Sequence, residues 1–107
     1  MEKVITVDGK QIRLKSTGAT PLLYKMHFKR DFFKDLFKMY NISKNDISEL
    51  DLEVFYNMVW LLAKGANKDI DSPLEWLDGF DEFPIMEIVP QIQNMIESML
   101  KTTNQKK

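Results

Sequence analysis

Alternating apolar and polar residues open the chain and predict a β-hairpin over about residues 2–15. Asp8-Gly9 is typical of a two-residue type I′ turn, because Gly adopts positive φ freely and Asp tolerates it. With that turn, one face of the hairpin carries Ile5, Val7, Ile12 and Leu14. A lone two-stranded hairpin is marginally stable in water, so we expect it to pack on helices or to pair with another chain.

A change to helical spacing predicts one bent helix or two short helices over residues 20–40. Thr20-Pro21 is typical of a helix start, with Thr as the N-cap and Pro at the first helical position. Asp31 is a second candidate for an N-cap. An apolar stripe follows it, formed by Phe32, Phe33, Leu36, Phe37, Met39 and Tyr40.

The next helix is predicted to begin near Asp51 and to end at Gly65, a residue that favours helix termination. Only Glu53, Asn57 and Lys64 interrupt its apolar surface, as a narrow polar strip. Because a helix that is apolar almost all round is normally buried, we expect it at the centre of a bundle.

Two more helices complete the prediction. Ser72-Pro73-Leu74-Glu75 is a capping box that starts a short helix, which Gly79 is expected to end. The last helix is predicted over about residues 84–101, with Pro90 on its polar face, where a bend is favoured over a break. The opposite face carries Ile85, Ile88, Val89, Ile92, Met95, Ile96 and Met99.

The predicted fold is therefore mainly α with a small β part: a hairpin at residues 2–15 followed by a compact bundle of four to five helices. We expect a single domain over residues 1–101, with the bundle at 20–101, and a flexible polar tail at 102–107. A length of 107 residues, of which 44% are hydrophobic, suits one domain with a core of its own.

Composition narrows the class of protein. The chain has no cysteine, which excludes disulfides and thiolate metal sites and agrees with a reducing cytoplasm. It has no apolar run near the roughly 20 residues that span a bilayer, and its first residues lack the features of a signal peptide. We expect no membrane partner.

The net charge of −1 hides a strong asymmetry. Residues 1–45 carry a net charge of +6 and residues 46–107 a net charge of −7, and no basic residue lies between Asp69 and Glu97. We favour packing of the two halves against each other. A possible homo-oligomer through head-to-tail contact is a second expectation, and nucleic-acid binding by the basic half would have to compete with the acidic half.

Candidate catalytic and metal-binding residues are sparse. The single histidine, His27, has no neighbouring nucleophile or partner motif, so we interpret it as solvated or partly packed. The acids after Asp69 fail as a calcium loop because Pro73 and Leu74 occupy positions where that loop needs a ligand and a glycine. The sequence predicts no enzyme, no cofactor and no metal.

Three further features concern binding. Basic and aromatic residues are interspersed between Tyr24 and Lys34, as in proteins that bind single-stranded nucleic acid. However, Asp31 within this segment and Asp35 directly after it add negative charge, and its aromatic residues have the spacing of a helix face that packs on a core. We therefore expect no nucleic-acid partner. The seven methionines are typical either of core filler or of an adaptable binding groove. For a partner surface we predict Trp76, Phe80, Phe83 and Met86, which exceed what two short helix ends can bury.

The order of these segments resembles the tail assembly chaperones of long-tailed (siphovirus-type) phages and prophages of Gram-positive bacteria. The matching segments are Ile5-Thr6-Val7-Asp8-Gly9-Lys10, Thr20-Pro21-Leu22-Leu23-Tyr24, His27-Phe28-Lys29-Arg30-Asp31, Asp51-Leu52-Glu53-Val54-Phe55 with Ala63-Lys64, Glu75-Trp76-Leu77 with Phe80-Asp81, and the closing amphipathic helix.

The resemblance implies a non-enzymatic assembly factor that binds the tape measure protein, keeps it soluble and leaves as tail tube subunits polymerise around it. It also implies possible contact with the tail tube protein, action in the host cytoplasm, absence from the mature virion, and in many such systems a longer frameshifted product. The alternatives are a small structural tail protein and a helix-turn-helix DNA-binding regulator.

Overall fold

Two antiparallel strands and five helices follow one another in the computed structural model, which describes residues 1–44 and 51–104. The elements are β1 (Glu2–Val7), β2 (Lys10–Lys15), α1 (Thr20–Phe28), α2 (Phe32–Lys44), α3 (Leu52–Ala66), α4 (Pro73–Asp78) and α5 (Ile85–Asn104). This order confirms the predicted fold class.

The hairpin has the predicted turn and register. Asp8 and Gly9 both have positive φ, 55° and 75°, as a type I′ turn requires. Ile5 is paired with Ile12, and Ile5, Val7 and Leu14 are buried, so the predicted apolar face lies on the core. Backbone hydrogen bonds in both directions between Met1 and Ser16 extend the pairing beyond the strand ends.

The outer edge of β1 is covered at Thr6 by a side chain of α5. The Gln91 Oε1 atom accepts a hydrogen bond from the Thr6 N–H at 2.9 Å, and Gln91 Nε2 donates to the Thr6 carbonyl oxygen at 3.0 Å. The same Nε2 also donates to the Glu87 carbonyl oxygen. The amide of Gln91 thus takes the place that a third strand would take.

α1 and α2 are separate helices, which decides between the two possibilities left by the sequence. Lys29 ends α1 in the left-handed region, with φ 59° and ψ 34°. Asp31 is confirmed as a cap of α2, since its Oδ1 accepts hydrogen bonds from the N–H groups of Phe33 and Lys34. The prediction for Thr20 was wrong: Ala19 is the N-cap of α1, and the Thr20 hydroxyl instead accepts from the Thr17 N–H in the preceding loop.

α3 is the central helix, as its apolar circumference predicted. β2, α1, α2 and α4 all pack against it, while α5 packs against β1 and α2. Asp51 caps its start by accepting from the Glu53 and Val54 N–H groups. Its buried residues are Val54, Phe55, Asn57, Met58, Val59, Trp60, Leu61, Leu62 and Ala63.

Gly65 does not end α3, contrary to the prediction. The helix continues to Ala66, with Asn67 as the C-cap. A Cβ atom at residue 65 would lie 2.6 Å from the Lys15 carbonyl oxygen, well inside van der Waals contact. The glycine is therefore explained by the close approach of the end of β2 to α3, and not by helix termination.

The two C-terminal helices begin near the predicted residues, but the predicted capping box is absent: the Ser72 side chain accepts no hydrogen bond from a backbone N–H of the helix, and its hydroxyl donates to Glu75 Oε1 at 3.2 Å. Pro73 begins α4 after the Ser72 N-cap, and Gly79 is its C-cap. α5 includes Pro90 on an exposed face. The helix ends at Asn104 and not near Lys101, so part of the predicted tail is helical; residues 105–107 lie outside the described residues.

Candidate partner-binding surface

The structure brings together three of the four residues predicted to bind a partner. The ring centroid of Trp76 lies 5.1 Å from that of Phe80 and 5.8 Å from that of Phe83, and the rings of Phe80 and Phe83 are 5.4 Å apart. All three side chains are half-buried, and Met86, in the first turn of α5, is 67% exposed. We call these four residues the aromatic surface.

The aromatic surface is attached to the core through Phe83. Its ring lies 6.1 Å from the ring of Phe55, which is fully buried, and 5.8 Å from the ring of Tyr56. Phe83 therefore has a packing role in addition to any role in binding. Phe80 does not make these contacts with α3 and is the better residue for testing binding separately from stability.

The hairpin turn positions the connection between α4 and α5. The Asp8 carboxylate accepts a hydrogen bond from the Asp81 N–H at 3.0 Å, and Lys10 Nζ donates to the Gly79 carbonyl oxygen at 3.1 Å. The same ammonium lies 5.2 Å from the centre of the Phe80 ring, within the range of a cation–π interaction. Sequence reasoning missed these contacts because they join residues about 70 positions apart.

Trp60 fixes the connection between α3 and α4. Its indole N–H donates to the Asp71 carbonyl oxygen at 2.8 Å, and Lys64 Nζ donates to the carbonyl oxygens of Lys68 and Ile70. The His27 ring packs edge-on against Trp60 at 5.2 Å while remaining solvent-exposed. This geometry agrees with the interpretation of His27 as partly packed.

The buried Asp35 carboxylate of α2 binds Tyr24 of α1 and the partly exposed Arg30, which lies between the two helices. The Asp35 carboxylate accepts hydrogen bonds from the Tyr24 hydroxyl at 2.7 Å and from Arg30 Nε and Nη2 at 2.6 and 3.0 Å. Burial disfavours the charge on Asp35, but the hydrogen bonds from Arg30 and Tyr24 outweigh it and lower the pKa of that carboxyl. Burial, together with the Asp35 carboxylate, raises the pKa of Tyr24. The cluster is fully satisfied, which suits a structural role.

The burial of individual side chains tests two interpretations made from the sequence, that of the basic and aromatic cluster and that of the methionines. Tyr24 and Phe32, two aromatics of the basic cluster, are buried and so cannot stack on nucleic-acid bases. Met39, Met58, Met95 and Met99 are buried as core residues, whereas Met1, Met26 and Met86 are exposed. The core interpretation is therefore confirmed for the four buried methionines, and a binding role stays a prediction for the three exposed ones.

The described parts of the chain contain no helix that is both long and apolar enough to cross a membrane. Within the same residues, no group of three or more His, Cys, Asp or Glu side chains is placed to hold a metal ion. Comparisons of the chain with known protein families, curated proteins and solved structures found no match.

Proposed function

We propose that this protein is a tail assembly chaperone of a long-tailed phage or prophage of a Gram-positive bacterium. In this role it binds the tape measure protein, keeps it soluble and helps tail tube subunits polymerise around it. The order of sequence segments supports the proposal. The structural observation that supports it best is the cluster of three half-buried aromatic rings in the aromatic surface, those of Trp76, Phe80 and Phe83.

The physical argument concerns aggregation. A long helical protein that is not yet covered by its tube exposes apolar stripes, and large exposed apolar patches lead to association. A partner can cover such a stripe by helix-in-groove packing, in which a few aromatic and methionine anchors dominate the binding energy. The aromatic surface offers anchors of this kind.

Charge narrows the kind of helix that fits the aromatic surface. Residues 69–87, which contain the surface, include seven acidic residues and no basic one, so they outnumber the Lys10 ammonium that lies 5.2 Å from the Phe80 ring. A helix with Lys or Arg beside its apolar stripe would therefore be favoured, and wrong partners with acidic flanks would be repelled. We infer that the bound segment of the tape measure protein is basic along this side.

Co-expression with a tape measure fragment tests the proposal. The wild-type chain should keep the fragment soluble and co-purify with it, and Phe80→Ala should lose the fragment. Phe37→Ala is the matched control, because Phe37 is an exposed phenylalanine on α2, away from the aromatic surface. Thermal unfolding of both variants checks the fold. Failure of the wild-type chain to bind, or equal losses in both variants, would contradict the proposal.

Particle analysis tests the proposed location. A chaperone that acts in the host cytoplasm should be absent from purified virions. A small structural tail protein would remain in the particle, and a helix-turn-helix regulator would bind duplex DNA with an affinity that falls steeply with salt. Either result would replace the chaperone proposal with the corresponding alternative.

A further inference from the structure

The solvent-facing side of α1 is apolar. Leu22, Leu23 and Met26 are 63%, 38% and 60% exposed, while Thr20 and Tyr24 on the opposite side are buried. At 100° per residue, Met26 lies 40° from Leu22 and 60° from Leu23 around the helix axis, so the three side chains form one continuous stripe. We call this stripe the α1 face.

The α1 face differs from the other exposed apolar residues. Among the described residues, no other helix or strand carries more than one large apolar side chain with comparable exposure. Single exposed apolar residues are ordinary, but a helix that is apolar on both sides is normally covered on both. α1 is covered by the core on one side only.

The border of the α1 face is positively charged. Lys25 and Lys29 lie next to the Leu22 side of the stripe, and the sequence has no acidic residue from Ser16 to Arg30. The carboxylates that follow are already engaged, since Asp31 caps α2 and Asp35 is buried with Arg30. The charged side chains beside the stripe that are not engaged with an opposite charge are therefore cationic.

We propose that the α1 face docks an amphipathic helix whose apolar stripe is bordered by Asp or Glu residues. Leu22 and Met26, one turn apart, form the kind of ridge that packs between the side chains of a facing helix, and Lys25 and Lys29 select acidic flanks. The choice of a helical partner rests on the proposed function. This site is distinct from the aromatic surface, whose acidic surroundings select the opposite charge.

Two synthetic helical peptides test the proposal. Both carry the same leucine stripe, one with Glu and the other with Lys along its flanks, and each is titrated into ¹⁵N-labelled protein at low salt. The Glu-flanked peptide should shift the amide resonances of residues 20–29 and should bind about fivefold more tightly than the Lys-flanked peptide, the effect of one or two exposed ion pairs.

Three variants sharpen the test. Met26→Glu should weaken binding of the Glu-flanked peptide about tenfold, because it puts a like charge into the stripe. Lys25→Glu should reduce or reverse the preference between the peptides. Leu74→Glu is the matched control: Leu74 is an exposed leucine on α4, and its variant should bind as the wild type does. All three sites are exposed, and circular dichroism confirms the fold of each variant.

Several results would overturn the proposal. Equal affinity for the two peptides, or shifts mapped to α4 in place of α1, would show that the face does not select this helix. Shifts at residues 20–29 that appear with protein concentration alone would assign the face to a second copy. Binding to phosphatidylglycerol vesicles without binding to either peptide would assign it to a lipid surface.

The two proposals fail separately. If the tape measure fragment does not bind but the Glu-flanked peptide binds at α1, the proposed function is wrong and the α1 site stands. If the fragment binds and neither peptide contacts α1, the proposed function stands and the α1 site is wrong.

Discussion

Replacing Gln91 with alanine should destabilise the protein by about 1–2 kcal/mol. The substitution removes the two hydrogen bonds between the side-chain amide and the Thr6 backbone, at 2.9 and 3.0 Å. Each such bond contributes roughly 0.5–1.5 kcal/mol net, and the exposed position favours the lower half of that range. Alanine has a slightly higher helix propensity than glutamine, which offsets a few tenths of a kcal/mol.

Urea unfolding followed by circular dichroism measures this loss, and amide hydrogen exchange at Thr6 locates it. Gln93→Ala is the matched control, because Gln93 lies on the same helix and has no side-chain hydrogen bond to the described residues. The Thr6 N–H should exchange faster in the Gln91 variant only. Equal stability of the two variants, with unchanged exchange at Thr6, would refute the reasoning.

Four further predictions follow from the packing and the charges. Gly65→Ala should destabilise the protein by about 1–3 kcal/mol in urea unfolding, because its Cβ would meet the Lys15 carbonyl oxygen, whereas Gly18→Ala, with open space around it, should not. Lys29→Gly should raise the free energy of unfolding by about 0.5–1 kcal/mol, since a non-glycine residue with φ 59° is strained. The pKa of Asp35 is lowered despite burial, so its pairing should stabilise the fold above the unfolded pKa of about 4 and lose that effect as the pH falls further. In an acid titration, the free energy of unfolding should therefore fall less steeply with decreasing pH for Asp35→Asn than for the wild type. The charge asymmetry should give oligomers at low salt that shrink as salt rises, and light scattering that stays monomeric at high concentration would refute this.

Features set by neighbouring residues could be predicted from the sequence. The turn at Asp8-Gly9 specifies the hairpin register, because a two-residue loop leaves only one pairing for each strand. The continuous apolar surface of α3 specifies its central position for a similar reason, since every side of it needs cover.

Features that depend on distant residues could not be predicted. Gly65 has the same sequence signature whether it ends a helix or allows a strand to approach, and only the position of Lys15 decides between them. The contact of Gln91 with Thr6 joins residues 85 positions apart, and no local pattern marks it.

In the candidate surfaces, too, the local grouping of residues could be predicted from the sequence, whereas their packing against distant residues could not. Trp76, Phe80 and Phe83 could be grouped from their spacing, but the attachment of Phe83 to Phe55 required the fold. The exposure of Leu22 and Met26 could not be predicted, because the sequence does not show which side of a short apolar helix its neighbours cover.

The bond between Thr6 and Gln91 also sets an order of events during synthesis. A ribosome adds roughly 5–20 residues per second, so Gln91 is polymerised about 4–17 seconds after Thr6. Throughout that interval the first strand has been made but the helix that covers its edge has not, and α5 packs against both β1 and α2. The pairing of β1 with β2 can form early, but the cover of its outer edge waits for α5, and nascent chains that meet on one polysome do so with this strand edge unprotected.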